Sequence, residues 1–256
     1  MMRGALSLLG LSDFPLVHPG DDLCALVIAS LDRNGVALER QDILVIAQKV
    51  VSKAENRYVD LCGVQPSPRA LELAAEVHKD PRLVEVVLGE SRRVVRHAPG
   101  VLIVEHRLGC VMANAGVDQS NIAHPDMAEP ALLLPRDPDA LASAMYERIG
   151  ARFGVALGVV ISDSWGRAWR RGTVGVALGA AGLPAVADLR GRPDLFGRRL
   201  QVTETGFADE VASAASLVMG QADERMPVVV VRGLSWSASA TAAATLIRPA
   251  EEDLFR

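Results

Sequence analysis

Three short apolar runs restrict what this chain can fold into more than any other feature. They are DILVIA (42–47), VALGVVIS (155–162) and PVVVVRG (227–233). Each falls well short of the roughly 18 residues needed to cross a bilayer. None alternates polar with apolar positions, so none offers a face to water, and each reads as a buried strand. Helical periodicity fills the spaces between them. In GDDLCALVIASLDRNG, Leu23, Leu26, Val27 and Leu31 share a face, Asp21 and Asp22 suit the positive end of the helix dipole, and Asn34-Gly35 ends it. SPRALELAAEVHKD reads as a helix with Pro68 in its first turn and Leu71, Ala74, Ala75 and His78 following. Asp137-Pro138 opens another that runs to about Gly150, and FADEVASAASLVMG is a further helix stopped by Gly220. VLIVEH and CVMANAG read as two more strands, and the proline-punctuated stretch 122–136 as a surface loop.

Strands and helices alternate irregularly, which predicts an α/β (α+β) class with mixed β-sheets. No repeat or linker divides the chain, so residues 1–256 are expected to form one domain, with any boundary between two subdomains unplaced. The formal charge of −4 argues against a general nucleic-acid binder and leaves room for a local basic site for a phosphorylated ligand. Cys24, Cys62 and Cys110 form neither a CxxC pair nor a disulfide framework. The start, MMRGALSLLGLSDF, lacks the features of a signal peptide. A cytoplasmic protein with no membrane partner is therefore expected.

Polar groups gather in four places that follow apolar segments, where sheet proteins carry ligand-binding loops. AQKVVSKAE offers Gln48, Lys49, Ser52 and Lys53, and lysines hold phosphate as point charges; a solvated helix start is the competing reading. NAGVDQSN offers Asp118, Ser120 and Asn121 as oxygen ligands for a hard cation, or simply an Asx-rich turn. SDSWGRAWRRG sets Asp163 and Ser164 at the end of a buried strand, where a carboxylate needs a partner or a metal. Arg167 and Arg170 in the same motif suit bidentate contact with carboxylate or phosphate. VMGQADERMP adds Gln221, with Asp223 and Glu224 equally suited to solvent. Asp118 and Asp163 together suffice to anchor Mg²⁺ or Mn²⁺ that also binds substrate phosphates. There is no GxxxxGK[ST], no GxSxG and no histidine metal motif, and the glycine-rich GVALGAAG does not match GxGxxG.

In this order the segments resemble the coenzyme F420-0:L-glutamate ligase (F420 gamma-glutamyl ligase) family. The landmarks are FPLVHPGDDL, VVSKAE, EHRLG, AGVDQSN, SDSWGRAWRRG, VTETGFADEVASAASLVMGQAD and IRPAEEDLF, covering about Phe14 to Phe255. The resemblance implies a GTP-dependent ligase that joins L-glutamate to F420-0, and in many members adds further gamma-linked glutamates. It implies an acyl-phosphate intermediate, a requirement for Mg²⁺ or Mn²⁺ with K⁺ a further candidate, and an intertwined homodimer of unusual mixed α/β fold. Carried over by position, Phe14, Pro15, Leu16 and Val17 line the GTP site, Gln48 and Lys53 contact nucleotide, and Asn121 contacts GTP. Met219, Gly220, Gln221, Ala222, Asp223, Glu224, Arg225 and Met226 correspond to a nucleotide loop. Asp118, Asp163, Ser164 and Gln221 correspond to metal ligands, and Lys53 and Arg167 are the candidate catalytic cations. The nitroreductase-like domain that some members append is not expected here. Two alternatives stay open: a gamma-glutamyl ligase for another cofactor, and an inactive GTP- and metal-binding paralogue.

Overall fold

The computed structural model describes residues 4–254; Phe255, the end of the last landmark, lies outside them. In chain order the elements are β1 (Ser7–Gly10), α1 (Leu23–Arg33), β2 (Ile43–Ala47), α2 (Gln48–Ala54), β3 (Tyr58–Asp60), α3 (Pro68–Val77) and α4 (Pro81–Gly89). There follow β4 (Ser91–Ala98), β5 (Val101–His106), β6 (Val111–Ala113), β7 (Pro130–Leu132), α5 (Pro138–Phe153), β8 (Gly158–Arg167) and β9 (Arg170–Ala181). The chain closes with β10 (Ala187–Asp188), β11 (Glu204–Thr205), α6 (Phe207–Met219) and β12 (Val228–Arg232).

The three apolar runs become β2, β8 and β12, neighbours at the centre of a five-stranded sheet of order β1-β12-β2-β8-β9. Only β2 and β8 run parallel; the other pairs are antiparallel, so the sheet is mixed as expected. The strand pleat sends alternate residues to two cores. Leu44, Ile46, Val159, Ile161, Val228 and Val230 pack with α1 and α5, while Ile43, Val45, Val160, Val229 and Val231 pack with α6. Covering both faces explains why these runs carry no polar alternation. A third core joins α3, α4 and the small sheets β4-β5-β6 and β3-β7.

The helix starts follow their capping residues. The Asp22, Ser67 and Asp137 side chains accept from the N–H groups of Ala25, Ala70 and Ala140 at 3.1, 3.2 and 2.9 Å. Some local expectations need correction. His78 is a left-handed C-cap at φ 54° and does not extend the α3 face. The 110–116 segment is strand only over Val111–Ala113, because Asn114 and Ala115 take positive φ in a 3₁₀ turn. The proline-rich stretch contains β7, paired to β3. The motif 159–172 is a hairpin: β8 continues through Asp163 and Ser164 to Arg167 and returns as β9, so these residues sit on a strand.

One buried ion pair ties the sheet's lower end. Asp42, 1 % exposed, accepts from Arg232 Nε at 2.8 Å and Nη2 at 2.6 Å, joining β2 to β12. Arg232→Ala leaves that carboxylate buried, held among the described residues by the Glu39 N–H at 2.7 Å. We expect a loss of about 2 kcal/mol in urea unfolding, at the low side for a broken buried pair because Arg232 itself is partly exposed.

Candidate active site

The parallel pairing of β2 with β8 brings Ala47 opposite Ser162, so the chain leaves both strands at the same sheet end. Gln48 opens α2 there and Asp163 follows on β8, the location outside parallel strand ends where ligands bind in open sheets. Asp163 continues the odd-numbered face of β8, the side shared with α1, α5 and Val51 of α2.

Lys49 and Lys53, four residues apart on α2, project along one helix face and hold the loop after Gly116. Lys49 Nζ lies 2.8 Å from Asp118 Oδ2 and donates to the Ser120 carbonyl and hydroxyl at 3.1 and 2.9 Å. Lys53 Nζ donates to the Asn121 carbonyl at 2.9 Å. Burial, with Lys49 alongside, holds the Lys53 ammonium below its ordinary pKa. Asn121 Nδ2 in turn donates to the Ala222 carbonyl at 2.8 Å, joining this loop to the segment after α6. Asp118 is fixed from behind by exchanging two backbone bonds with Leu132. Arg57 braces the same segment, donating to the Leu134 carbonyl at 2.9 Å and to buried Glu90 at 2.8 Å. His106 and Arg107 of the EHRLG landmark also face Glu90.

The two aspartates have opposite tendencies. Burial pushes Asp118 up, but the ammonium of Lys49 and the Ser120 N–H outweigh it and hold the carboxyl below its ordinary range. Burial pushes Asp163 up to about 6, and the charge of Asp118 adds to that, against the Ser164 N–H, the Trp165 indole and Lys49. Trp165, unassigned from sequence, thus has a role: its Nε1 donates to Asp163 Oδ2 at 3.0 Å while its ring packs near Cys110, Met112 and Leu134. Among the described residues no three His, Cys, Asp or Glu side chains converge as a metal cage. Two carboxylates completed by ligand phosphates still suit Mg²⁺, which seldom takes an all-protein cage.

The strand pleat separates the expected metal ligands. Ser164 pairs with Gly175, whose face abuts α6, and Ser162 Oγ meets Met219 Sδ on that side at 3.8 Å. The Ser164 side chain therefore leaves β8 on the α6 side, opposite to that of Asp163. Asp163 and Ser164 thus leave β8 on opposite sides, while Gln221 is exposed on the loop that Asn121 ties to the Asp118 segment through Ala222.

The expected nucleotide contacts are placed unevenly. Phe14 and Val17 are buried in the core, Pro15 is half-buried, and Leu16, 79 % exposed, presents its side chain outward. Gln48 is buried and accepts from Ser52 Oγ at 2.9 Å. Gly220 ends α6 at φ 68°, and Gln221, Ala222, Asp223, Glu224 and Arg225 are exposed between half-buried Met219 and Met226. Glu224 folds back to accept from the Ala222 N–H at 2.8 Å. Arg167 does not join the aspartates: it lies four steps along the strand from Asp163, about 13 Å at roughly 3.3 Å each. Lys49, by contrast, was one lysine among several in the sequence and proves to be the direct partner of Asp118; its i, i+4 spacing from Lys53 is the signal that marks it.

Known proteins resemble this chain over nearly its whole length. The family described as F420-0:Gamma-glutamyl ligase matches residues 12–233. The chain is 46% identical over 253 residues to a protein named coenzyme F420:L-glutamate ligase in Methanothermobacter thermautotrophicus, covering 98% of this chain and 99% of that one. Proteins of the same name in Methanopyrus kandleri and Archaeoglobus fulgidus are 45% and 41% identical, over 99% and 94% of this chain and 100% and 93% of theirs. The chain belongs to the F420-0:gamma-glutamyl ligase family and is a ligase.

Proposed function

We propose that this ligase joins the amine of L-glutamate to the carboxylate of F420-0 at the expense of GTP. The observation that carries the reading is the continuous chain Asp118–Lys49 and Lys53–Asn121–Ala222 at the shared end of β2 and β8. A carboxylate and an amine do not condense unaided. Transfer of the GTP γ-phosphoryl group to the acceptor carboxylate gives an acyl phosphate, from which the glutamate nitrogen displaces phosphate. Such transfer rests on positioning and on neutralising charge.

The residues present fit a divalent cation: their donors are hard oxygens, and Asp163 is a half-buried carboxylate to which no cationic side chain bonds among the described residues. Asp118 and Asp163 would hold the ion, with Ser164 and Gln221 as the further oxygen donors of the expected set. A bound Mg²⁺ or Mn²⁺ supplies charge neutralisation to the phosphates. Lys53 places a positive charge beside the same loop, and its depressed pKa reflects the desolvation that strengthens its pull on an anion. The loop 219–226 tethered by Asn121 covers the nucleotide, with Leu16 exposed for apolar contact.

We further propose a homodimer in the cytoplasm. Leu195 and Phe196, both over 90 % exposed on the arm between β10 and β11, favour coverage by a second copy. No helix among the described residues is long and apolar enough to cross a membrane. The test is direct: the purified chain with GTP, Mn²⁺, glutamate and F420-0 should release GDP and yield a product heavier by one glutamate residue. GTP binding without turnover, or turnover only with a different acceptor, would overturn the reading; light scattering reads the dimer.

A further inference from the structure

Beyond Asp163 the β8–β9 hairpin leaves the sheet and ends in a tip that the catalytic chemistry does not use. Arg167 pairs with Arg170 across it, Arg171 follows, and all three side chains are exposed. No acidic residue occurs between Asp163 and Asp188, and among the described residues none of these three guanidinium groups forms an ion pair. Arg192, Arg198 and Arg199 form no ion pair among the described residues either, but they flank Asp194, whereas the hairpin tip has no acidic neighbour in sequence to match its three arginines.

Trp169 crowns the tip. It is 81 % exposed and takes φ 59°, a left-handed conformation that glycine or asparagine fills at far lower cost. Both solvent and backbone thus disfavour tryptophan at this turn, so its ring is placed there against two local preferences. A flat aromatic face amid guanidinium groups is the combination that stacks a planar ring while binding phosphate or carboxylate.

The distance decides which substrate. The tip is about 13 Å along the strand from Asp163, too far to touch a phosphoryl group held at Asp118 and Asp163. It is the right distance for the remote end of an elongated molecule whose carboxylate lies at that site. We infer that the hairpin tip recognises the acceptor: Trp169 stacks on its aromatic ring, and Arg170 and Arg171 bind its anionic groups. The ligand class is an extended, anionic, aromatic carboxylic acid. This rests on the ligase reading above, in which F420-0 is the acceptor.

The test measures steady-state kinetics of the full-length Trp169→Ala chain and of the double variant Arg170→Gln, Arg171→Gln, with F420-0, GTP and glutamate varied in turn. The acceptor KM should rise about tenfold in each, the worth of one lost stacking or charge contact. The GTP KM and kcat should stay within about twofold, and Trp169→Phe should recover most of the acceptor affinity. An unchanged acceptor KM overturns the assignment, as does a rise confined to the GTP KM. Loss of dimer mass in light scattering also overturns it, by making the tip a subunit contact. A wild-type chain that neither binds nor converts F420-0 defeats the ligase reading instead, so the two failures are distinguishable.

Discussion

Asp163→Asn should abolish GDP release while making the protein freed of metal and nucleotide more stable at neutral pH. The carboxyl titrates at about 6 in the folded chain against an ordinary 3.8, with burial as the main cause. A raised folded value means that the folded state holds the proton where the unfolded state has lost it. The resulting stabilisation of the protonated form is complete below about pH 4, is lost as pH rises to 6, and stays lost above that. Its span is at most about 3 kcal/mol, and asparagine, which cannot ionise, escapes the loss while still accepting from Trp165. Thermal melts in EDTA should therefore show the variant's advantage growing between pH 4 and 6 and levelling above 7, with a Tm gain of up to roughly 6–12 °C for a chain of this size. Turnover should fall by at least about a hundredfold, because the proposed cation would lose a charged ligand. Near-normal turnover by the folded variant would mean that the cation lies elsewhere.

Gly179→Ala should be severe for a purely steric reason. A Cβ at this β9 position would lie 2.2 Å from the Pro138 carbonyl oxygen and 2.4 Å from its carbon. Those are backbone atoms in the first turn of α5, with no rotamer to swing aside. Displacing that turn also disturbs Asp139, whose carboxylate accepts from the N–H groups of Ala180, Ala243 and Ala244 at 2.8, 2.8 and 3.1 Å. The strand–helix contact and the anchoring of the 243–246 turn fail together. We expect a loss of at least about 3 kcal/mol, beyond most single overpacking changes, seen as a Tm fall of roughly 6–12 °C. Gly63→Ala, with nothing within 4 Å of the new atom, is the control and should move little. Equal tolerance of both substitutions would show that α5 does not lie directly on β9.

The same glycine shows what the sequence conceals. GVALGAAG read as a glycine-rich segment matching no nucleotide motif, and its purpose is packing: Gly175 admits α6 and Gly179 admits α5. Nothing local announces which backbone will arrive at a glycine from over 30 residues away. The sheet centre was legible because a strand buried on both faces cannot avoid being apolar throughout, as Val228 to Val231 are. β1 and β3 were not, being short and partly exposed, nor was β4, whose eight residues are largely exposed and weakly patterned. In the site, the ordered landmarks identified the family, and Asp118, Asp163, Lys53 and Asn121 come to one sheet end. That Asp163 and Ser164 lie on a strand escaped notice because Ser-Trp-Gly-Arg reads as a turn, while the pairing that keeps it extended comes from β9. Lys49 stands in the sequence as a phosphate-holding charge, and its pairing with Asp118 is hidden there for a related reason: only the third dimension distinguishes the lysine that meets a carboxylate from one that meets water.

Asp163 and Ser164 are consecutive residues whose side chains leave one strand in opposite directions. Whatever each of them binds is held apart by the thickness of a single polypeptide backbone, clamped by its hydrogen bonds to β9. Loop movement during turnover can change access and affinity on either side, yet it cannot alter that separation. The spacing between the two side chains is therefore written in covalent geometry, and a one-residue deletion in the run before Asp163 would exchange their sides outright.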